Sequence, residues 1–261
     1  MHLETHGLTM AFGGVHAVTN LELRLADGDL TALIGPNGAG KTTVFNLLSG
    51  IYRPMAGTIL FNGKNLVGRK PYQITRRGVA RTFQNIRLFT NISALDNVRI
   101  ALHRHVRYGL WEALLHCTPR FVREERRLID EAEVLLALCG LRDVADHMAG
   151  SLPYGQQRRL EIARALATGP QLLLLDEPAA GMNPQETMQL VTLLRELHRR
   201  FALTILLIEH DMHVVMNLCT RIYVLEYGEL IAEGSPEEVR NNPLVIEAYM
   251  GEKVERHVER A

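Results

Sequence analysis

Hydrophobic and polar positions change period along the chain, and the changes divide it. Leu21, Leu23 and Leu25 alternate with Glu22 and Arg24, as in a half-buried strand. Leu30–Ile34 is an unbroken apolar run leading into a glycine-rich turn, and an apolar helix is predicted from Lys41 to Leu48. Thr58–Phe61 reads as a strand closed by the turn dipeptide Asn62-Gly63. From Ser93 to Gly140 the period becomes helical. Ser93 with Asp96 three residues later marks a helix start. Farther on, Phe121, Val122, Leu128, Ile129, Ala132, Leu135, Leu136 and Cys139 recur at helical spacing, with Glu124, Arg126, Arg127 and Glu131 opposite. Beyond Gly155 helix and strand alternate: helix Gln156–Ala167, strand Leu172–Leu175, a helix opened by Asn183-Pro184, strand Leu203–Ile208, helix Asp211–Leu218 and strand Ile222–Leu225. Tyr227-Gly228 reads as a turn and Ser235-Pro236-Glu237-Glu238 as a helix start. Short apolar strands separated by helices predict an α/β fold with a mostly parallel sheet covered on both faces. The charged tail from Glu252 is expected to fray, and no long linker or internal repeat interrupts the pattern.

Composition narrows the function classes. The 261 residues are 47% hydrophobic, enough for a large core, and formal charge balances to +0. A nucleic-acid partner is disfavoured without a basic excess. No apolar run approaches the ~18 residues of a membrane-spanning helix, and the N-terminus lacks signal-peptide character. Cys117, Cys139 and Cys219 form no C-x-x-C pair, which suits a reducing, cytosolic compartment.

Gly35-Pro36-Asn37-Gly38-Ala39-Gly40-Lys41-Thr42 matches the phosphate-binding pattern G-x-x-x-x-G-K-[ST], between a buried strand and a helix as that pattern requires. Its glycines let successive N–H groups point at phosphate oxygens, and the helix N-terminus adds positive dipole. Lys41 is expected to reach the β- and γ-phosphates, and Thr42 to ligate Mg²⁺, with Thr43 the next hydroxyl donor.

The strand Leu172–Leu175 runs into Asp176-Glu177, two carboxylates that are costly to bury unless a cation or donor meets them. Asp176 is expected to hold Mg²⁺ through water, and Glu177 to face the attacking water. A third strand ends in Glu209-His210, where the histidine can approach the γ-phosphate; Gln84 can reach metal or water. His103, His105, His116 and Cys117 match no zinc spacing. Trp111 is expected to pack, and Arg158, Arg159 and Arg164 to form an exposed helix face, with Arg158 or Arg159 near a dimer seam.

Taken in order, these residues resemble an ABC ATPase over almost the whole chain. The Walker A element is GPNGAGKT, the Q-loop glutamine is Gln84, and Walker B ends at Glu177. Leu152-Pro153-Tyr154-Gly155-Gln156 stands in the place of the signature motif, Ala180–Asn183 in that of the D-loop and His210 in that of the switch histidine. Phe12 stands in the place of the aromatic that stacks on adenine. The resemblance is closer to ATPases of branched-chain amino-acid importers, through Thr82–Phe89, the insertion around Gly109–Arg127, Tyr154–Leu166, Asp176–Pro184 and Ile246–Glu252.

The resemblance implies a P-loop NTPase fold of the ABC ATPase type: a RecA-like core, an N-terminal antiparallel β subdomain and a helical subdomain. Expected bounds within the single domain are 1–92, 93–155 and 156–251, with the tail at 252–261. It implies ATP and Mg²⁺ as ligands, the metal held by Thr42, Gln84 and Asp176, and ATP by Phe12 and residues 35–43 of one chain and by Tyr154, Gly155 and Gln156 of the other. Lys41, Gln84, Glu177 and His210 are implied as catalytic. Implied partners are two transmembrane permease subunits, a second cassette (this chain or a paralogue) and, indirectly, a periplasmic solute-binding protein, placing the chain on the cytoplasmic face of the inner membrane. Other solutes (urea, short amides, other amino acids) stay open. A non-transport ABC ATPase fits less well, because such proteins usually carry two cassettes or a long coiled-coil insertion. A P-loop GTPase or nucleotide kinase would leave Gln84, the signature and His210 unexplained.

Two positions depart from the pattern. Pro153 stands where a serine donates to the γ-phosphate and offers neither hydroxyl nor N–H. Asn183 replaces the D-loop acid. The partner's nucleotide site is therefore expected to be the weaker one in a heterodimer.

Overall fold

A computed structural model of the chain describes residues 3–106 and 118–258, with side chains to residue 250. Gly109–Cys117 of the insertion, with Trp111, His116 and Cys117, lie outside the described residues, as does the side chain of His105. The chain divides into two compact units, residues 1–84 with 171–261, and Asn85–Pro170.

The first unit holds two sheets. One is four-stranded, β2-β1-β4-β5, built from β1 (Leu3–Phe12), β2 (Val15–Leu25), β4 (Ala56–Phe61) and β5 (Lys64–Asn65), all antiparallel. The predicted alternation in β2 is real: Leu21, Leu23 and Leu25 are fully buried while Glu22 and Arg24 are exposed. The other sheet has the order β10-β9-β3-β8-β7-β6. Its strands are β3 (Leu30–Ile34), β6 (Val79–Arg81), β7 (Leu172–Asp176), β8 (Thr204–Ile208), β9 (Arg221–Glu226) and β10 (Glu229–Gly234). β6, β7, β8, β3 and β9 run parallel and β10 is antiparallel at the edge. β3, β7 and β8 are buried at every position, which is why they read as unbroken apolar runs rather than alternating ones.

Helices fill the connections: α1 (Lys41–Leu48), α2 (Pro71–Thr75), α6 (Pro184–Phe201), α7 (Met212–Leu218), α8 (Pro236–Arg240) and α9 (Pro243–Val258). The start signals act as predicted. Asn183 caps α6 by accepting from Glu186 N–H at 2.9 Å while Glu186 accepts from Asn183 N–H at 3.0 Å, and Ser235 and Glu238 repeat the box at α8. The tail is a correction: α9 continues through Glu252 to Val258.

The second unit is helical: α3 (Ala94–Leu102), α4 (Pro119–Leu138) and α5 (Tyr154–Ala167). Ser93 caps α3 through Asp96 N–H and Thr118 caps α4 through Phe121 N–H. The unit is wider than the 93–155 read from the sequence. The Asn97 side chain bonds both backbone groups of Phe89, tying the preceding loop to α3, and α5 packs on α3 and α4. The predicted exposed arginine face is also corrected. Arg158 is fully buried, and Arg164 is half-buried with its guanidinium 5.6 Å from the Phe89 ring centroid. Helical periodicity marks which face an arginine occupies, but it carries no information on the acid that lets it be buried.

Candidate functional site

β3 delivers its chain end to the loop Gly35–Gly40, and α1 begins at Lys41. Two glycines show why the motif needs them. A Cβ on Gly40 would lie 2.2 Å from the Ala17 carbonyl oxygen, so a side chain there would push β2 away. Gly38, with φ +80°, turns the chain with nothing within 4 Å of a Cβ position, leaving the inside of the loop open. The Lys41 ammonium is buried and donates to the Gly35 and Pro36 carbonyls at 2.6 and 2.7 Å.

Three strand ends meet this loop. β7 ends in Asp176, whose Oδ2 takes a 2.8 Å ion pair from Arg81 Nη2 at the end of β6. The other arm of Arg81 donates to Asn46 Oδ1 at 2.7 Å and Ser49 Oγ at 2.9 Å on and just after α1. Its guanidinium also stacks against Phe45 and Phe83, 5.5 and 5.0 Å from their centroids. Glu177 follows with φ +48°, a left-handed backbone that carries about 1–2 kcal/mol of strain in a residue with a side chain. Its N–H donates to Ile208 O of β8 at 2.9 Å. Its carboxylate is gripped from two sides, by Gln84 Nε2 at 3.0 Å and by His210 Nε2 at 2.5 Å. Strain is tolerated where surrounding contacts over-determine the conformation.

Glu209, almost fully buried, supports this arrangement from behind. It accepts from Ala179 N–H at 2.8 Å and from His210 and Asp211 N–H at 3.1 and 3.5 Å, joining the segment after Glu177 to the one carrying His210. Burial raises its pKa above the usual carboxylate value, the three N–H groups oppose that, and Glu177 adds to it.

A cavity of about 260 Å³ collects most of the predicted residues: Asn37, Gly38, Ala39, Gly40, Lys41, Thr42, Thr43, Gln84, Glu177 and His210 line it, with Ala17. Phe12, Gly35, Pro36 and Asp176 are not among its lining residues. Phe12 packs edge-on against Tyr52 with centroids 5.3 Å apart and stays 43% exposed, leaving ring surface for a planar ligand. Tyr154, Gly155 and Gln156 belong to the helical unit, at the start of α5. Pro153 is the N-cap of α5 and supplies no side-chain acceptor; Asn183 keeps the capping role an aspartate would fill.

The residues fit a nucleoside triphosphate with a hard divalent cation. The loop interior is open at Gly38, a buried ammonium stands at its mouth, and the metal-ligand candidates Thr42, Gln84 and Asp176 all offer oxygen.

The comparisons with known proteins follow this geometry. Residues 18–180 match the ABC transporter family. This chain belongs to that family. Residues 229–255 match a second description, branched-chain amino acid ATP-binding cassette transporter. The chain is 50% identical over 250 residues to the high-affinity branched-chain amino acid transport ATP-binding protein LivG of Escherichia coli, covering 96% of this chain and 98% of that one. It is 48% identical over the same length, with the same coverage, to the corresponding protein BraF of Pseudomonas aeruginosa. An ATP-binding cassette of an ABC transporter, solved in its ADP conformation, superposes with TM-score 0.83 at 30% identity, covering 96% of this chain and 98% of that chain. The expected ABC ATPase fold is thus the fold of this chain. Among the described residues, no helix is long and apolar enough to cross a membrane.

Arg81 and Glu209 were missed as functional positions. Arg81 lies three residues before Gln84 and Glu209 directly before His210, and only their spatial partners distinguish them from ordinary charged residues.

Proposed function

We propose that this chain hydrolyses ATP to power import of branched-chain amino acids, as a peripheral subunit on the cytoplasmic face of the inner membrane. It docks on two transmembrane permease subunits beside a second cassette, either a copy of itself or a paralogue, and receives solute indirectly from a periplasmic binding protein. The observation that carries the hydrolytic reading is the convergence of Gln84, Glu177 and His210 on the cavity that the phosphate loop lines.

In this reading Glu177 takes the proton of the attacking water, and the Gln84 and His210 contacts hold its carboxylate in place before substrate arrives. Lys41 turns from the loop carbonyls to the β- and γ-phosphates, and His210 steadies charge on the transferring group. Thr42, Asp176 and Gln84 would hold Mg²⁺, which would supply charge neutralisation on the phosphate oxygens. Arg81 fixes the Asp176 carboxylate for that role. Phe12 stacks on the base. Tyr154, Gly155 and Gln156 complete the partner's site. The substrate reading rests on the branched-chain relatives and on the match over residues 229–255.

The test is radiolabelled leucine uptake in the native host, comparing wild type with a chromosomal Glu177→Gln replacement. Loss of uptake with the protein still present is expected. Unchanged uptake, with ATP turnover abolished in the purified complex, would overturn the substrate and leave the ATPase.

A further inference from the structure

We propose that the buried Arg158–Glu161 pair is a positioning device that makes the segment following Gln84 and the Leu152–Gln156 turn move together within the helical unit; its functional meaning rests on reading that turn as the signature segment. Both side chains are taken out of water, Arg158 at 0% and Glu161 at 2% exposure. Burying a charge pair is expensive, and well-packed apolar residues of similar volume are often as stable or more so. Stability alone therefore gives little reason for the pair, whereas its connections do.

Arg158 Nη1 donates to Glu161 Oε2 at 2.8 Å, one helical turn along α5. Nη2 reaches back to the Tyr154 hydroxyl at 3.1 Å, and the guanidinium lies 5.8 Å from that ring's centroid. The Tyr154 side chain, 44% exposed, is thus held by a buried group rather than by packing alone. In the other direction Glu161 Oε1 accepts the backbone N–H of Arg87 at 3.4 Å, three residues after Gln84. A second contact runs alongside: the Arg164 guanidinium lies 5.6 Å from the centroid of Phe89, whose backbone is held by Asn97. One carboxylate thus joins a loop amide to a guanidinium, and the guanidinium joins the turn. Displacement of residues 86–89 shifts Glu161, and Tyr154 follows through Arg158.

The experiment is hydrogen exchange by mass spectrometry on the full chain, with thermal unfolding beside it. In Arg158→Met/Glu161→Leu the pair is replaced by apolar volume, so the unfolding midpoint is expected to stay near wild type. Amides 86–89 and 152–156 are both expected to exchange faster by a factor of roughly 2–30, the usual range for lost coupling contacts. A folded double variant with wild-type exchange in both segments would overturn the proposal. Should the double variant not fold, Tyr154→Phe deletes one hydroxyl at an exposed ring. Faster exchange at 86–89 supports the coupling; an effect confined to 152–156 overturns it. In the assembled transporter the double variant is expected to lose kcat with KM for ATP unchanged. An unchanged kcat would remove the pair from positioning. The exchange results stand even if the chain powers a different solute.

Discussion

Both compact units bury charge, and they do different things with it. In the α/β unit Lys41, Asp176 and Glu209 sit at strand ends or in the phosphate loop, and each is met by backbone groups or by Arg81. Their neighbours Gln84, Glu177 and His210 open onto the cavity. In the helical unit the buried charges of Arg158 and Glu161 face each other along one helix, and among their further contacts are a loop amide and a tyrosine hydroxyl. The desolvation cost has the same origin in both. On the proposed function, the first sets a field at the reacting centre; on the proposed coupling, the second holds two segments in register.

The largest expected effect separates the two uses. Glu177→Gln should keep nucleotide binding and lower ATP turnover by roughly 10²–10⁴, the scale of a lost general base. Phosphate release and nucleotide titration measure the two halves, and near-normal turnover would remove Glu177 from that role. Next comes the cost of breaking a pair from one side. Arg81→Met strands the buried Asp176 carboxylate and should destabilise the fold by about 3–5 kcal/mol in a denaturant titration. Arg158→Met should cost a similar amount, and adding Glu161→Leu should recover most of it. No such rescue is expected for Arg81→Met on replacing Asp176, if turnover is the readout. Equal rescue of turnover would erase the distinction between the units.

A smaller effect is expected at the turn itself. Pro153→Ser restores an N-cap hydroxyl to α5, for about 0.5–2 kcal/mol of stability, and should raise turnover in the assembled pair. No change in turnover would count against a weak partner site. The smallest is a pH slope. The Glu209 pKa is raised above its ordinary 4.5, chiefly by burial, so the folded state holds a proton that the unfolded chain has released. Its contribution is full below pH 4.5 and is lost as pH rises through the raised value. Thermal melts across that range should show wild type losing ground against Glu209→Gln as pH rises; parallel curves would argue against the raised pKa.

Much of the α/β unit was legible because its chemistry is local in sequence. A phosphate loop needs its glycines and lysine within one turn, and a strand buried on both faces must be unbroken, so Gly35–Thr42 and Leu172–Asp176 announce themselves. The contacts of Arg81 with Asp176 and of Glu209 with Ala179 were not legible, since those partners lie 95 and 30 residues away. Arg158 failed for a different reason. Its partner is only three residues along the same helix, but an i,i+3 pair looks the same whether solvent or protein surrounds it. The α9 helix beyond Glu252 was misread because charge was taken as a sign of fraying, although charged residues such as Glu, Lys and Arg are good helix formers.

The left-handed backbone at Glu177 has a consequence for anyone selecting variants of this protein. Glycine adopts φ +48° without the steric cost, so Glu177→Gly should relieve about 1 kcal/mol of strain while deleting the carboxylate. Heat-based selection with no activity requirement would be drawn toward that exchange, accumulating sturdier but inert proteins.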